Sequence, residues 1–167
     1  MNLVSKGQED ILQQLLDLLH NLKIDYCVIG GLAVNAYVEP VVSLDLDLVI
    51  VAESIGALLK AAEKKFKIER FAHSVNLNST KSDLRIQIQT DLRYQPFISR
   101  ALTKEVMGYK MKVATIENVL QGKIWAYSDS QRRKSKRQKD LADIFRLVEA
   151  YPDLKKLLPE SIKNIEF

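Results

Sequence analysis

One segment narrows what this chain can fold into more than any other: residues 27–51, CVIGGLAVNAYVEPVVSLDLDLVIV. Residues 26–30 read as a short strand running into a glycine pair, residues 32–38 as a short helix, and residues 44–51 as the strongest strand in the chain. Successive strand side chains alternate, so Asp45 and Asp47 project from one face while Leu44, Leu46 and Leu48 project from the other onto a core. The run Val49, Ile50, Val51 is apolar on both faces, which places this strand in the middle of its sheet.

Two carboxylates on one face, about 6 to 7 Å apart by strand rise, repel each other in a setting that disfavours aspartate. The arrangement becomes favourable when a hard divalent cation sits between their oxygens. Magnesium suits, because it binds one or two carboxylates together with phosphate oxygens. Glycine lets backbone approach a ligand closely, and a helix start offers unpaired N–H groups to an anion, so Gly30 and Gly31 suit a phosphate. Either feature alone is ordinary: a glycine pair is usually a tight turn, and a lone Asp-x-Asp is usually a solvent-facing strand. Together, in this order and with 13 residues between Gly31 and Asp45, they form the geometry of nucleotidyl transfer.

These residues resemble the signature of the DNA polymerase beta-like nucleotidyltransferase superfamily, a glycine pair at a helix start followed by Asp-x-Asp on the next strand. More closely, the chain looks like the minimal nucleotidyltransferases related to the AbiEii abortive-infection toxins. The likeness extends to Lys123-Ile-Trp-Ala and to Lys139-Asp140-Leu-Ala-Asp143. It implies an α+β fold with a polymerase beta-like palm, a mixed sheet of four to six strands with flanking helices, and a C-terminal helical segment. It implies an NTP substrate, Mg²⁺ with a two-metal site as an option, and a hydroxyl acceptor on RNA, on a protein or on a small molecule, in a toxin–antitoxin setting. Asp45 and Asp47 are the expected catalytic and metal-binding residues. Gly30, Gly31, Ser43, Lys123 and Lys139 are the expected nucleotide-binding residues, with an ion pair from Lys123 to Asp140 or Asp143 as the alternative role for that lysine.

The chain departs from that pattern twice. Relatives often carry an arginine shortly before Asp-x-Asp, where this chain has Val41, Val42 and Ser43. The superfamily also supplies a third carboxylate, as general base or ligand of a second metal, from a neighbouring strand. Residues 84–89 read as that strand, and the slot falls at Gln87, with Asp83 and Asp91 at its two ends as substitutes. The alternative function is therefore a catalytically decayed transferase fold that binds nucleotide or nucleic acid.

Elsewhere the pattern predicts a helix over 6–22, a helix over 54–65 capped by Ser54, strands over 67–72 and 75–81, a short helix over 96–101 and a hairpin around Gly108. Everything past Thr115 reads as helical, so residues 1–114 are expected to form the transferase-like part and residues 115–167 a helical segment packed on it. Eleven Lys/Arg against three Asp/Glu fall between Arg100 and Lys139, which leaves the rest of the chain net acidic and suggests an anionic partner. Within the basic run 132–139, Lys136 and Lys139 share a helix side with Asp143, either facing the cleft or making an i,i+4 pair from Lys139 to Asp143. One cysteine excludes a disulfide framework, and no apolar run approaches the roughly 20 residues of a membrane span. A soluble, cytoplasmic protein is expected, with no leader peptide in the acidic first turns.

Overall fold

The structure, a computed structural model, describes residues 10–165. Seven strands form one mixed sheet in the order β3-β4-β5-β2-β1-β7-β6, more than the four to six expected. The strands are β1 (Tyr26–Ile29), β2 (Asp45–Ile50), β3 (Lys67–Arg70), β4 (Ser74–Asn78), β5 (Arg85–Gln89), β6 (Leu102–Val106) and β7 (Tyr109–Val113). The β6–β7 hairpin, expected around Gly108, adds to β1 in parallel and extends the sheet on that side, so each expected strand joins the one sheet. Its two-residue turn holds both Met107 and Gly108 at positive φ, the backbone that matches strand twist in a tight hairpin.

Strand β2 is central, as its apolar run requires. It pairs antiparallel with β1 and parallel with β5. Leu46, Leu48 and Ile50 on one face are buried with Ile86 and Ile88 of β5 and with Val75 and Leu77 of β4. Each such side chain removed from water contributes about 1.5–3 kcal/mol. Helix α1 (Ile11–Asn21) adds Leu12, Leu15 and Leu19 to this core, and α3 (Ile55–Ala62) adds Leu58, Leu59 and Ala62. Asp10 caps α1 by accepting from the Gln13 N–H at 2.9 Å; residues 6–9 of the expected helix lie outside the described residues.

Ser54 does not cap α3. It ends a short 3-10 turn over Ala52–Ser54 with helical backbone angles, and its hydroxyl makes no capping bond. Thr115, by contrast, caps α5 (Ile116–Ser128) by accepting from the Asn118 N–H. Helix α5 and the longer α6 (Lys134–Ala150) pack on each other and both touch α2 (Gly30–Val34), which brings the C-terminal helices to the glycine pair. Helix α4 (Phe97–Arg100) joins them through an aromatic cluster. Buried Tyr94 meets Phe97 and Trp125 edge-on, at 5.4 and 5.0 Å, and Phe97 stacks on Trp125 at 5.7 Å. Gly122 makes room for this: a Cβ there would lie 3.3 Å from the Tyr94 ring. Helix α7 (Glu160–Lys163) closes the described chain and buries Ile162.

Candidate active site

The glycine pair and the two aspartates meet because β1 and β2 are neighbours in register. Ile29 lies opposite Asp47, so the chain leaving β1 turns at the level of that carboxylate. Gly30 makes the turn at φ +74°, and a Cβ built there would lie 3.1 Å from both Cβ and Cγ of Asp47. Only glycine satisfies both the backbone and the space. Gly31 differs: a Cβ there would make ordinary contacts of 3.9 Å with the Ser43 hydroxyl and an Asp143 carboxylate oxygen. Helix α2 then runs for five residues before a turn over 35–37, shorter than the expected 32–38, so its dipole is small.

Asp47 is half-buried at the foot of this turn. Burial pushes its carboxyl up to about 6, the Lys123 ammonium pulls the other way, neighbouring Asp45 pushes up again, and Arg132 and Lys136 pull down. Asp45 stands at the exposed start of β2. Its carboxylate accepts from Arg85 Nε at 2.6 Å, with both side chains more than half exposed. Ser43 sits at the entrance, its hydroxyl accepting from the Asp45 N–H at 3.3 Å.

Behind the glycine pair lies a buried charge cluster. Lys123 Nζ is 2.9 Å from Asp143 Oδ2 and 3.1 Å from Asp140 Oδ1. Arg132 Nε adds a 2.7 Å contact to Asp140, and Arg146 Nη1 a 2.8 Å contact to Asp143. Arg146 also donates to Asn35 Oδ1 at 3.1 Å and to the Glu39 carbonyl at 2.7 Å, tying α6 to the chain after α2. Burial alone would lower the Lys123 pKa, but Asp143 and Asp140 hold it above the ordinary value. Three cations face two carboxylates, so the floor beneath the glycines keeps a positive surplus, felt at Asp47.

Of the expected residues, the structure therefore gathers Gly30, Gly31, Ser43, Asp45, Asp47 and, one shell back, Lys123. Lys139 is exposed, and Asp143 pairs with Lys123 and Arg146 rather than with Lys139. On the basic run it is Arg132 and Lys136 whose charges reach Asp47. Arg137 is committed elsewhere, donating to the Tyr127 carbonyl at 2.7 Å and lying over the Tyr127 ring. Sequence reasoning did not single out Arg85, Arg132 or Arg146. The signal for Arg132 was its spacing ahead of Asp140 on one basic stretch; Arg85 and Arg146 had none short of the register itself.

The third-carboxylate slot is occupied by Gln87, directly beside Asp47 in the β2–β5 register. Asp91 lies beyond the far end of β5, where it caps the turn at Leu92–Tyr94 and is held low by its hydrogen bonds to Arg93. Asp83 precedes β5 at the Asp45 end. Among the described residues no group of three or more His, Cys, Asp or Glu side chains is arranged to hold a metal ion. The donor set fits a hard cation that brings ligands with its substrate, two carboxylates on one strand face, and the Arg85 guanidinium would have to yield Asp45 to it.

Solved structures similar in fold include the antibiotic-resistance factor ANT(2'')-Ia, 14% identical with a TM-score of 0.60 and covering 87% of this chain and 88% of that one. The lincosamide antibiotic adenylyltransferase LnuA, with lincomycin bound, is 16% identical with a TM-score of 0.54, covering 88% and 99%. JHP933 from Helicobacter pylori is 20% identical with a TM-score of 0.56, covering 91% and 71%. At these identities the likeness is one of fold, a nucleotidyltransferase-like α+β architecture. No curated protein matches the sequence significantly. The family model described as nucleotidyl transferase AbiEii toxin, Type IV toxin–antitoxin system, matches residues 15–165, nearly the whole chain, and the protein belongs to that family.

Proposed function

We propose that this chain is a Mg²⁺-dependent nucleotidyltransferase that moves a nucleoside monophosphate from an NTP to a hydroxyl acceptor, in a toxin–antitoxin setting in the cytoplasm. Among the described residues no helix is long and apolar enough to cross a membrane. The observation that carries the reading is the packing of Asp47 against Gly30, with Asp45 on the same strand face and a net positive cluster behind. Asp45 and Asp47 would hold the metal, which when bound neutralises triphosphate charge and orients the α-phosphorus. The acceptor hydroxyl gives its proton to solvent, its oxygen bonds to that phosphorus, the bond to the β-phosphate breaks, and pyrophosphate leaves with the electron pair. Gly31 leaves room for a phosphate beside the Ser43 hydroxyl. Lys123 acts through the field it sets beneath the glycines, since Asp140 and Asp143 engage its ammonium.

Gln87 favours a second reading, a nucleotide-binding protein on a transferase fold that has lost turnover, because an amide cannot take the acceptor's proton. Melting shifts with each of the four NTPs, with and without Mg²⁺, test the first element of both. A Mg²⁺-dependent shift in wild type that is absent from Asp45→Asn/Asp47→Asn supports the site. Release of pyrophosphate then separates transferase from binder, and equal shifts in both proteins would refute the site.

A further inference from the structure

The cations around the aspartates differ in how firmly they are held. Behind the glycines, Lys123 meets two carboxylates, and Arg132 reaches Asp140 through both Nε and Nη2. Arg146 holds Asp143, Asn35 and the Glu39 carbonyl together. Arg85 stands in front and is held loosely. Its guanidinium meets Asp45 through Nε at 2.6 Å, with 69% of the Arg85 side chain exposed.

The backbone of Arg85, by contrast, is fixed. It pairs with Asp45 in the β2–β5 register, and its N–H donates to the Leu44 carbonyl at 2.8 Å. The side chain is therefore anchored at the level of Asp45 yet swings through solvent. The segment leading into Asp45, Pro40-Val-Val-Ser-Leu44, carries no cation, and Gln87, next on the same face of β5, is neutral. Positive charge on this side of the aspartates comes from the neighbouring strand.

A guanidinium and a divalent cation on Asp45 compete for one carboxylate. An exposed ion pair resists that competition weakly, by a factor of about five at most. A guanidinium displaced there lies beside the triphosphate that accompanies the metal, and its planar fork makes strong charge-assisted bonds to phosphate oxygens.

We propose that Arg85 exchanges partners: it neutralises Asp45 in the nucleotide-free protein and turns to a phosphate oxygen of the bound nucleotide once the metal takes that carboxylate. The exchange rests on the transferase reading, and it makes Arg85 a positioning residue that couples metal to nucleotide. Arg85 disfavours the metal alone and favours the metal–nucleotide pair, so each ligand strengthens binding of the other.

The test compares wild type, Arg85→Gln and Lys136→Gln. Lys136 controls for loss of one charge, because its charge is also felt at Asp47. Water-proton relaxation follows binding of Mn²⁺ alone, and calorimetry follows each of the four NTPs with Mg²⁺. Arg85→Gln should bind Mn²⁺ about fivefold tighter than wild type, and should bind the Mg²⁺–NTP that wild type takes roughly two- to fivefold more weakly, at an unchanged melting temperature. Lys136→Gln should move Mn²⁺ binding by less than about twofold, since solvent screens a charge that makes no contact. An equal gain from Lys136→Gln would reduce the effect to overall charge and overturn the exchange. So would Mn²⁺ binding by Arg85→Gln that is no tighter than by wild type, or Mg²⁺–NTP binding that is no weaker. In each of those cases, nucleotide binding by wild type leaves the transferase reading standing. If wild type binds none of the four NTPs with Mg²⁺, that reading fails and the exchange fails with it.

Discussion

Two aspartate pairs, one on either side of the glycine pair, live in opposite surroundings. Asp140 and Asp143 lie inside the helical layer, where Lys123, Arg132 and Arg146 satisfy them. Asp45 and Asp47 stand at a strand end with one exposed guanidinium on Asp45, and with Asp47 pushed up to about 6 by burial. The first pair is a completed electrostatic unit that fastens α5 and α6 beneath the glycines. The second carries excess negative charge and lacks protein partners to absorb it. The same residue type thus holds the structure in one place and, in the function proposed above, would hold a cation in the other, and the difference is set by the supply of donors.

The sharpest way to break this comparison is Lys123→Met. It strips the shared cation from two buried carboxylates, and removing one partner of a buried pair costs about 3–5 kcal/mol. Denaturant unfolding should register that loss; a change under 1 kcal/mol would mean the cluster is not a structural unit. Gly30→Ala comes next, because a left-handed backbone costs a non-glycine residue about 1–2 kcal/mol and the new methyl displaces Asp47. Gly31→Val should fold nearly as the wild type yet lose nucleotide affinity, since its neighbours stand 3.9 Å off and the space it fills is the ligand's. Calorimetric titration beside a melting curve separates the two glycines. A smaller effect tests helix ends: Thr115→Ala should lose about 1 kcal/mol and Ser54→Ala almost none, because only the first hydroxyl makes a capping bond. Smallest of all, Asp45→Asn/Asp47→Asn should change stability by no more than about 1 kcal/mol: an exposed ion pair contributes about that at most, and relief of repulsion offsets it.

Much of the architecture was legible because hydrophobic period and local breakers decide it. The central strand announced itself by Val49, Ile50 and Val51, and the β6–β7 turn by Gly108. What escaped was whatever depends on which strand neighbours which. The Arg85–Asp45 contact and the parallel docking of β7 on β1 are products of register, invisible in spacing along the chain. Ser54 reads as a cap in sequence, but a 3-10 turn delivers the chain into α3 with helical angles and leaves the hydroxyl unused. Spacing on α6 offered Lys139 as a partner of Asp143, and the sequence also offered Lys123 as a partner of Asp140 or Asp143; the fold makes the second contact, adds Arg146 from the next turn, and leaves Lys139 exposed. Gln87, the residue that strand alternation puts in the third-carboxylate slot, does fall opposite Asp47 in the β2–β5 register.

If Asp45 and Asp47 bind metal and triphosphate together while Asp140 and Asp143 hold the structure, calorimetric titration of NTP with Mg²⁺ into wild type and into Asp45→Asn/Asp47→Asn, with thermal melting of each protein alone, should separate the two pairs. Wild type should bind at least one NTP in a Mg²⁺-dependent way and the double variant none, at closely similar melting temperatures. Undiminished nucleotide binding by the double variant would show that these carboxylates hold neither metal nor triphosphate.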